Sequence, residues 1–151
     1  MDEHFKLEDF LPFRLNVLAQ EVSERLSKIY AKRFSLDIPQ WRILANLASR
    51  GEMTAQEVAF VTFSHKSTIS RAVAELEIRK LIERTTSTKD KRAFAMGLTP
   101  KGRKMFEQLL PFVLEFEQNL MNKLAATERA MLIDGLAALE REILPMRKIE
   151  S

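Results

Sequence analysis

Residues Ser64–Gly102 read SHKSTISRAVAELEIRKLIERTTSTKDKRAFAMGLTPKG, and this stretch decides the fold. Its first part predicts a helix over Lys66–Arg79, because apolar side chains recur there at helical spacing. The apolar face consists of Ile69, Val73 and Leu76. Two short extended runs follow, Leu81–Thr86 and Ala93–Leu98, and the polar loop Ser87–Arg92 joins them. The stretch is therefore predicted to form a helix followed by a hairpin.

The opposite face of this predicted helix is short, polar or basic, with no acid before Glu75. It carries Lys66, Ser67, Ser70, Arg71 and Ala74. Residues 63–104 hold 11 Lys or Arg and 4 Asp or Glu, a net charge of +7, whereas the other 109 residues sum to −4. Such concentrated positive charge is typical of a module that binds nucleic-acid phosphates. The alternative is a solvated hairpin that merely happens to be basic.

Composition excludes several other classes of protein. With 151 residues, 46% of them hydrophobic, four Gly and five Pro, the chain suits one domain with a core and is neither disordered nor fibrous. The absence of Cys rules out disulfides, cysteine-based metal sites and thiol redox sensing within the chain. The acidic N-terminus does not resemble a secretory signal, and no apolar stretch reaches membrane-spanning length. We expect a soluble, cytoplasmic protein.

A long amphipathic helix is predicted ahead of the basic stretch. Asp9 is expected to cap it, Pro12 is tolerated in its first turn, and it continues to about Phe34. Its apolar stripe is Leu11, Leu15, Leu18, Val22, Leu26 and Ile29. A helix of about 24 residues is about 36 Å long, which is more than a compact domain of this size needs. Such a helix often packs against a partner chain.

Two shorter helices are predicted next. Pro39 suits the first turn of a helix that ends near Gly51 in a left-handed cap. The buried side of this helix is predicted to be Trp41, Leu44, Ala45 and Ala48. Thr54 and Glu57 form a capping box that starts a short helix over residues 55–61. A tight connection at residues 62–65 then leads into the basic helix, an order typical of a helix-turn-helix.

Two more helices are predicted after the hairpin. Thr99 and Pro100 mark the start of a helix that runs to about residue 123 and is expected to kink before Pro111. The last helix is predicted over residues 127–144, where Pro145 stops it. The predicted fold is mainly α with a small β-hairpin wing. Within a single domain 1–151, a winged helix-turn-helix lobe at 36–98 is flanked by dimerisation helices at 9–34 and 99–147, although a monomeric bundle is the alternative.

Three motifs resemble those of MarR-type regulators. They are DIPQWRIL in the second helix, STISRAVAELE in the basic helix and DKRAFAMGLTPKGR across the wing and the helix that follows. The last matches the family's wing signature through Asp90, Arg92, Leu98, Thr99 and Gly102. The resemblance covers residues 10–144. It implies triangular, obligate homodimers that bind pseudo-palindromic operators in double-stranded DNA, usually as repressors. Many members of the family release DNA when a small aromatic acid or related ligand binds.

The resemblance also implies roles for particular residues. Arg92 is expected to enter the minor groove, and Asp90 to orient the wing arginines by a salt bridge. The predicted DNA-binding residues are Lys66, Ser67, Thr68, Ser70, Arg71, Lys89, Asp90, Lys91 and Arg92. Lys80 departs from the family, because relatives often have Gly there, so it must adopt a left-handed conformation or end the helix differently. The wing has Ser87-Thr88 in place of the usual Asp-Pro.

A ligand cavity is hypothesised near the first, second and fifth helices. Its candidate residues are Phe13, Arg14, Tyr30, Trp41, Phe63 and His65. Arg14 could bind a carboxylate bidentately or form an intersubunit salt bridge. The alternative is that these aromatics are plain core.

The chain shows no signature of a metal centre, a cofactor or an enzyme. Its two histidines, His4 and His65, are far apart and suit no zinc motif. No Gly-rich phosphate loop, nucleophile elbow or catalytic pair is present. We therefore expect a DNA-binding regulator without a cofactor. The competing function is a winged-helix adaptor that binds proteins rather than DNA, and a small enzyme is a remote third.

Overall fold

The computed structural model describes residues 4–86 and 94–144. The helices in these ranges are α1 Leu11–Phe34, α2 Ile38–Arg50, α3 Ala55–Thr62, α4 Lys66–Ile78, α5 Pro100–Met121 and α6 Ala126–Ile143. The strands are β1 Met53–Thr54, β2 Ile82–Thr86 and β3 Phe94–Leu98. They form an antiparallel sheet in the order β1-β3-β2. The predicted mainly helical fold with a small wing is confirmed. The short strand β1, which pairs Met53 with Met96 across from β3, was not predicted.

The start of α1 differs from the prediction. Asp9 belongs to a separate 3-10 turn, Leu7–Asp9, and Phe10 occupies the N-cap position without any side-chain hydrogen bond. The predicted Asp9 cap is therefore wrong. Pro12 lies in the first turn of α1, as predicted. A proline is tolerated there because the backbone N–H that it lacks would have no partner within the helix. The helix ends at Ser35 in a left-handed conformation, with φ of 52°.

Capping boxes fix the starts of α2 and α3. The Asp37 side chain accepts a hydrogen bond from the Gln40 backbone N–H at 2.8 Å, and the Gln40 side chain accepts one from the Asp37 N–H at 3.0 Å. This box was not predicted. The predicted box of Thr54 and Glu57 is confirmed, with bonds of 3.1 and 2.8 Å. Each box satisfies two backbone N–H groups that would otherwise be unpaired at the start of its helix.

The buried face of α2 was predicted only in part. Leu44 is buried as expected, but Trp41, Ala45 and Ala48 are half-buried. The other buried residues of α2 are Gln40, Ile43 and Leu47. Gly51 has the expected positive φ of 84°, yet its ψ of −152° is extended, so it does not form the predicted left-handed cap.

The core lies within the helix-turn-helix lobe and its contacts with α1 and α5. Its fully buried side chains include Tyr30, Leu36, Ile43, Leu44, Leu47, Val58, Ile69, Leu76, Leu81 and Leu109. By contrast, no residue of α6 is buried in the protomer. The core therefore fixes the helix-turn-helix lobe and leaves the last helix uncovered. None of the helices in residues 4–86 and 94–144 is both long and apolar enough to cross a membrane.

The two C-terminal helices begin close to their predicted starts. The Thr99 hydroxyl accepts a hydrogen bond from the Gly102 N–H at 3.0 Å, which confirms Thr99 as the N-cap of α5. This helix continues through Pro111, and the kink stays a prediction. The helix α6 begins at Ala126, one residue earlier than expected. Pro145, the predicted stop, lies outside the described residues.

Candidate nucleic-acid interface

Helix α4 has one buried face and one exposed face. Its buried side chains are Ile69, Ala72, Val73 and Leu76. Its exposed side chains include Lys66, Ser67, Ser70, Arg71 and Ala74, and Thr68 is half-buried. The helix is therefore oriented as the sequence predicted, with its short polar and basic residues in solvent. No other described residue forms an ion pair with Arg71, because the one salt bridge within the described ranges joins Arg84 to Glu77.

The turn before α4 is held by local hydrogen bonds. The Ser64 N–H donates to the Ala59 carbonyl at 3.0 Å, and the Thr62 hydroxyl donates to the Val58 carbonyl at 2.7 Å. Phe63 occupies a left-handed conformation with φ of 53°. His65 is the N-cap residue of α4, and its side chain makes no capping hydrogen bond. These bonds set the direction in which α4 leaves the turn.

The end of α4 is a Schellman motif with lysine at the position that usually requires glycine. The Lys80 N–H donates to the Glu77 carbonyl at 2.9 Å, and the Leu81 N–H donates to the Leu76 carbonyl at 3.0 Å. Lys80 has φ of 57°, which confirms the left-handed alternative predicted for this departure from the family. A left-handed lysine costs about 1 kcal/mol relative to glycine, so the surrounding contacts must hold it there.

The base of the wing is joined to α4 by side chains. Arg84 on β2 donates to the Glu77 carboxylate at 2.8 Å, and its guanidinium lies 5.9 Å from the centre of the Phe94 ring on β3. The strands pair from Ile82 with Leu98 to Thr86 with Phe94. The predicted tip residues Lys89, Asp90, Lys91 and Arg92 lie outside the described residues.

The Leu-Thr-x-x-Gly part of the wing signature has a clear structural reason. The Thr99 hydroxyl caps α5 and also donates to the Lys80 carbonyl at 2.6 Å. A Cβ atom on Gly102 would lie 1.9 Å from the Leu81 carbonyl oxygen, which leaves room only for glycine. The first turn of α5 therefore packs directly on the backbone that follows α4.

A contact between α2 and α4 was missed at the sequence level. Gln40 is 6% exposed, and its side-chain amide donates to the Glu75 carboxylate of α4 at 2.6 Å. Because Gln40 also completes the Asp37 capping box, one side chain joins the start of α2 to the middle of α4. The pattern Asp-x-x-Gln at residues 37–40 is a signal for the capping box but not for the contact with Glu75.

The six residues hypothesised to line a ligand cavity do not line one cavity within a protomer. Phe63 and His65 are exposed in the turn before α4. Arg14 and Tyr30 are sixteen residues apart on the continuous helix α1, or about 24 Å at 1.5 Å per residue. Phe13 lies beside Arg14 and is also exposed. Tyr30 and Trp41 are brought into contact.

Tyr30 and Trp41 belong to an aromatic stack between α1, α2 and α5. Their ring centres are 5.5 Å apart, and Trp41 stacks in turn on Phe106 at 6.0 Å. Burial raises the pKa of Tyr30 to about 12 from its ordinary value of 10.0, because the phenolate would lose its water; Arg42 opposes this shift, and Asp37 adds to it. The stack is part of the core between the lobe and the long helices.

No cluster of three or more His, Cys, Asp or Glu side chains suited to a metal ion occurs in the part of the chain that the structure describes.

Comparison with known proteins finds similarity to one family of transcriptional regulators. The MarR family sequence model matches residues 34–93. The transcriptional repressor IacR of Pseudomonas putida is 25% identical over 116 residues, which cover 77% of this chain and 69% of IacR. A putative regulatory protein for the hcr operon of Thauera aromatica is 28% identical over 66% of this chain and 60% of its own length.

Solved structures extend the similarity over most of the chain. A MarR/EmrR family regulator from Acinetobacter sp. ADP1 has a TM-score of 0.78 and 27% identity, covering 92% of this chain and 98% of its own. A MarR family regulator from Silicibacter pomeroyi has a TM-score of 0.77 and 28% identity, covering 91% and 92%. BpsR of Bordetella bronchiseptica, whose DNA binding is regulated by 6-hydroxynicotinic acid, shares the fold with a TM-score of 0.74 at 21% identity, covering 90% and 96%. The match at residues 34–93 and the fold shared with solved MarR family regulators show that this chain is similar to the MarR family of transcriptional regulators.

Proposed function

We propose that this protein is a homodimeric repressor that binds a pseudo-palindromic operator and releases it when a small aromatic acid binds. The observation that carries the DNA-binding part is the outer face of α4, where Arg71 and its short polar neighbours are exposed while the opposite face is in the core. A helix of this kind can enter the major groove without a clash from bulky side chains. The similarity to IacR supports the choice of repressor.

A second copy of the chain would cover the apolar surface of the long helices. The exposed large apolar residues of α1 and α6 include Leu11, Leu15, Leu18, Leu132, Ile133, Leu136, Leu139 and Ile143. A soluble monomer rarely leaves so many large apolar side chains exposed on its helices, whereas a two-fold dimer can bury them. We therefore assign residues 9–34 and 99–147 to dimerisation and residues 36–98 to the DNA-binding lobe of a single domain.

In the proposed complex, the two-fold axis of the dimer coincides with that of the operator. The two α4 helices would then enter major grooves about one helical turn apart, which is about 34–36 Å. The contacts assigned to each protomer are Lys66, Ser67, Thr68, Ser70, Arg71, Lys89, Asp90, Lys91 and Arg92. Arg92 would read the width of the flanking minor groove, with Asp90 orienting it. This role implies a protein that acts on chromosomal DNA in the cytoplasm.

Selection of bound duplexes from a random pool tests the DNA-binding proposal. We expect an inverted repeat with a fixed spacing, and gel-shift titration should show that Arg92→Ala weakens binding while the protein stays folded and dimeric. Arg129→Ala on α6 removes the same charge far along the chain and serves as the control. Failure to enrich any sequence at low salt would favour the adaptor function over DNA binding.

The effector is proposed by analogy with BpsR, whose ligand is an aromatic acid. Arg14 is the candidate partner for a carboxylate, since it is exposed near the apolar start of α1 and would lie at the dimer surface. Thermal shift against a panel of aromatic acids, with wild type and Arg14→Ala, tests this role. A shift in wild type that Arg14→Ala retains in full would remove Arg14 from the site, and no shift with any acid would remove the effector class.

A further inference from the structure

We infer that Arg79 is the positioning residue that sets the distance between the two α4 helices, by fastening the end of each α4 to the long helices. This inference rests on the proposed dimeric, DNA-binding function. It assigns to Arg79 a role that differs from that of the other basic residues of the segment, because its guanidinium binds protein rather than DNA.

The contacts of Arg79 join α4 to the end of α1. One guanidinium nitrogen donates to the Ser35 carbonyl at 2.8 Å, and the other donates to the Phe34 carbonyl at 2.8 Å. These carbonyls lie at the C-terminal end of α1, where the helix dipole places partial negative charge. A planar guanidinium that holds two acceptors at once fixes orientation as well as distance. Arg79, which lies at the end of α4, therefore caps the C-terminal end of α1.

The opposite side of the same segment is fastened to α5. The Lys101 ammonium donates to the Arg79 carbonyl at 2.9 Å. The Thr99 hydroxyl donates to the Lys80 carbonyl, and the Leu81 carbonyl accepts from the Thr99 N–H at 3.1 Å. Three consecutive residues after α4 are therefore held between the end of α1 and the start of α5. Because those are the helices assigned to dimerisation, this clamp is a rigid connection from the dimer to α4.

The alternative partner of Arg79 within its own helix is not used. Glu75 precedes Arg79 by four residues, the spacing at which an acid and a base pair on a helix surface. Glu75 instead accepts the Gln40 amide, and the Arg79 guanidinium turns to α1. Arg79 is half-buried, and its guanidinium donates to two backbone carbonyls rather than to the nearby Glu75 carboxylate. Both observations indicate that Arg79 positions α4. An arginine serving DNA phosphates would be expected to remain in solvent.

Distances between spin labels test the inference in the free protein. The chain has no Cys, so Ala74→Cys on the exposed face of α4 gives one label per protomer and one distance per dimer. We expect a single narrow distance distribution in the otherwise wild-type dimer and a distribution about twice as wide or wider with Arg79→Met. Lys80→Met removes the same charge one residue away without removing a clamp hydrogen bond, so its distribution should stay narrow.

Operator spacing provides the second readout. Adding one base pair between half-sites moves them apart by about 3.4 Å and rotates them by about 34°. We expect wild type and Lys80→Met to lose affinity about tenfold or more on this insertion, and Arg79→Met to lose less than about threefold. Arg79→Lys keeps the charge but cannot hold two carbonyls in the same fork, so it should resemble Arg79→Met and covers the case in which that variant does not fold.

The outcomes separate this inference from the proposed function. A wild-type protein that gives no intersubunit distance or shows no spacing preference would contradict the dimeric DNA-binding proposal itself. A narrow wild-type distribution and a clear spacing preference that both Arg79 variants retain would overturn the role of Arg79 alone. Broadening with Lys80→Met as well would assign the effect to charge rather than to the clamp.

Discussion

Gly102→Ala and Gly135→Ala should change stability in opposite directions, although both replace a helical glycine. A Cβ atom at Gly102 would lie 1.9 Å from the Leu81 carbonyl oxygen and 2.9 Å from its carbon. Ordinary contact begins at 3.4 Å, so the first turn of α5 and the Leu81 backbone must separate by about 1.5 Å. A Cβ atom at Gly135 on α6 meets nothing within 4 Å in the protomer.

The magnitudes follow from two opposing terms. Overpacking a rigid site costs about 1–3 kcal/mol, and a backbone obstacle places Gly102 at the upper end of that range. Replacing glycine by alanine within a helix raises the free energy of unfolding by at most about 1 kcal/mol. Gly102→Ala should therefore lose about 2 kcal/mol of unfolding free energy, and Gly135→Ala should gain up to about 1 kcal/mol. For a chain of this size, these changes lower Tm by about 4–8 °C and raise it by about 2–4 °C.

Thermal unfolding followed by circular dichroism is the assay, at one fixed protomer concentration because dimer stability depends on concentration. Gly102→Ala should also weaken operator binding, since the displaced turn carries the Thr99 contact to the backbone that ends α4. If Gly102→Ala were neutral or stabilising, α5 would not pack on Leu81 as described. If Gly135→Ala were instead strongly destabilising, Gly135 would have to contact a neighbour in the assembled dimer.

Two further predictions concern single side chains. Arg71→Ala should weaken operator binding by about 5- to 150-fold per half-site and relax the preference at one base pair, as expected for an arginine that reads guanine; uniform weakening across all sequences would make it a phosphate contact. Because the pKa of Tyr30 is raised to about 12, the unfolded chain loses this proton first as pH rises above 10.0. The stability that it contributes is complete below pH 10.0 and is lost toward pH 12, by about 2–3 kcal/mol in total. Tyr30 is the only tyrosine of the chain, so phenolate absorbance follows its titration alone. Tyr30→Phe should abolish the loss of stability between pH 10.0 and 12. Titration of Tyr30 near pH 10 in the folded protein would contradict the prediction.

Local patterns predicted most of the helical framework. Helical spacing identified α4, and the short polar motifs at Thr54 and Thr99 marked helix starts that the structure confirms. These signals are reliable because capping involves residues only three positions apart. The misplaced cap at Asp9 has the same basis, since an acid can also lie in a 3-10 turn that stops before the helix begins.

Contacts between distant segments could not be predicted in the same way. The short strand at Met53 forms only because β3 passes beside it, and two residues carry no strand pattern of their own. The hydrogen bonds from Arg79 to Phe34 and Ser35 span more than forty residues of sequence. The hypothesised ligand residues are dispersed within the protomer for a related reason, because helical spacing does not show that Arg14 and Tyr30 lie far apart on one unbroken helix.

Charge alone overestimates how much of the basic segment faces DNA. Eleven Lys or Arg side chains lie in residues 63–104. Of the eight that fall within the described residues, three bind other parts of the protein. Arg79 holds the α1 carbonyls, Arg84 pairs with Glu77, and Lys101 binds the backbone after α4. These cations join α4 and the wing to neighbouring parts of the protomer, whereas Lys66 and Arg71 remain exposed and are among the residues that we propose bind DNA. Specific binding needs both groups, because a correctly charged helix held at the wrong separation can meet only one half-site at a time.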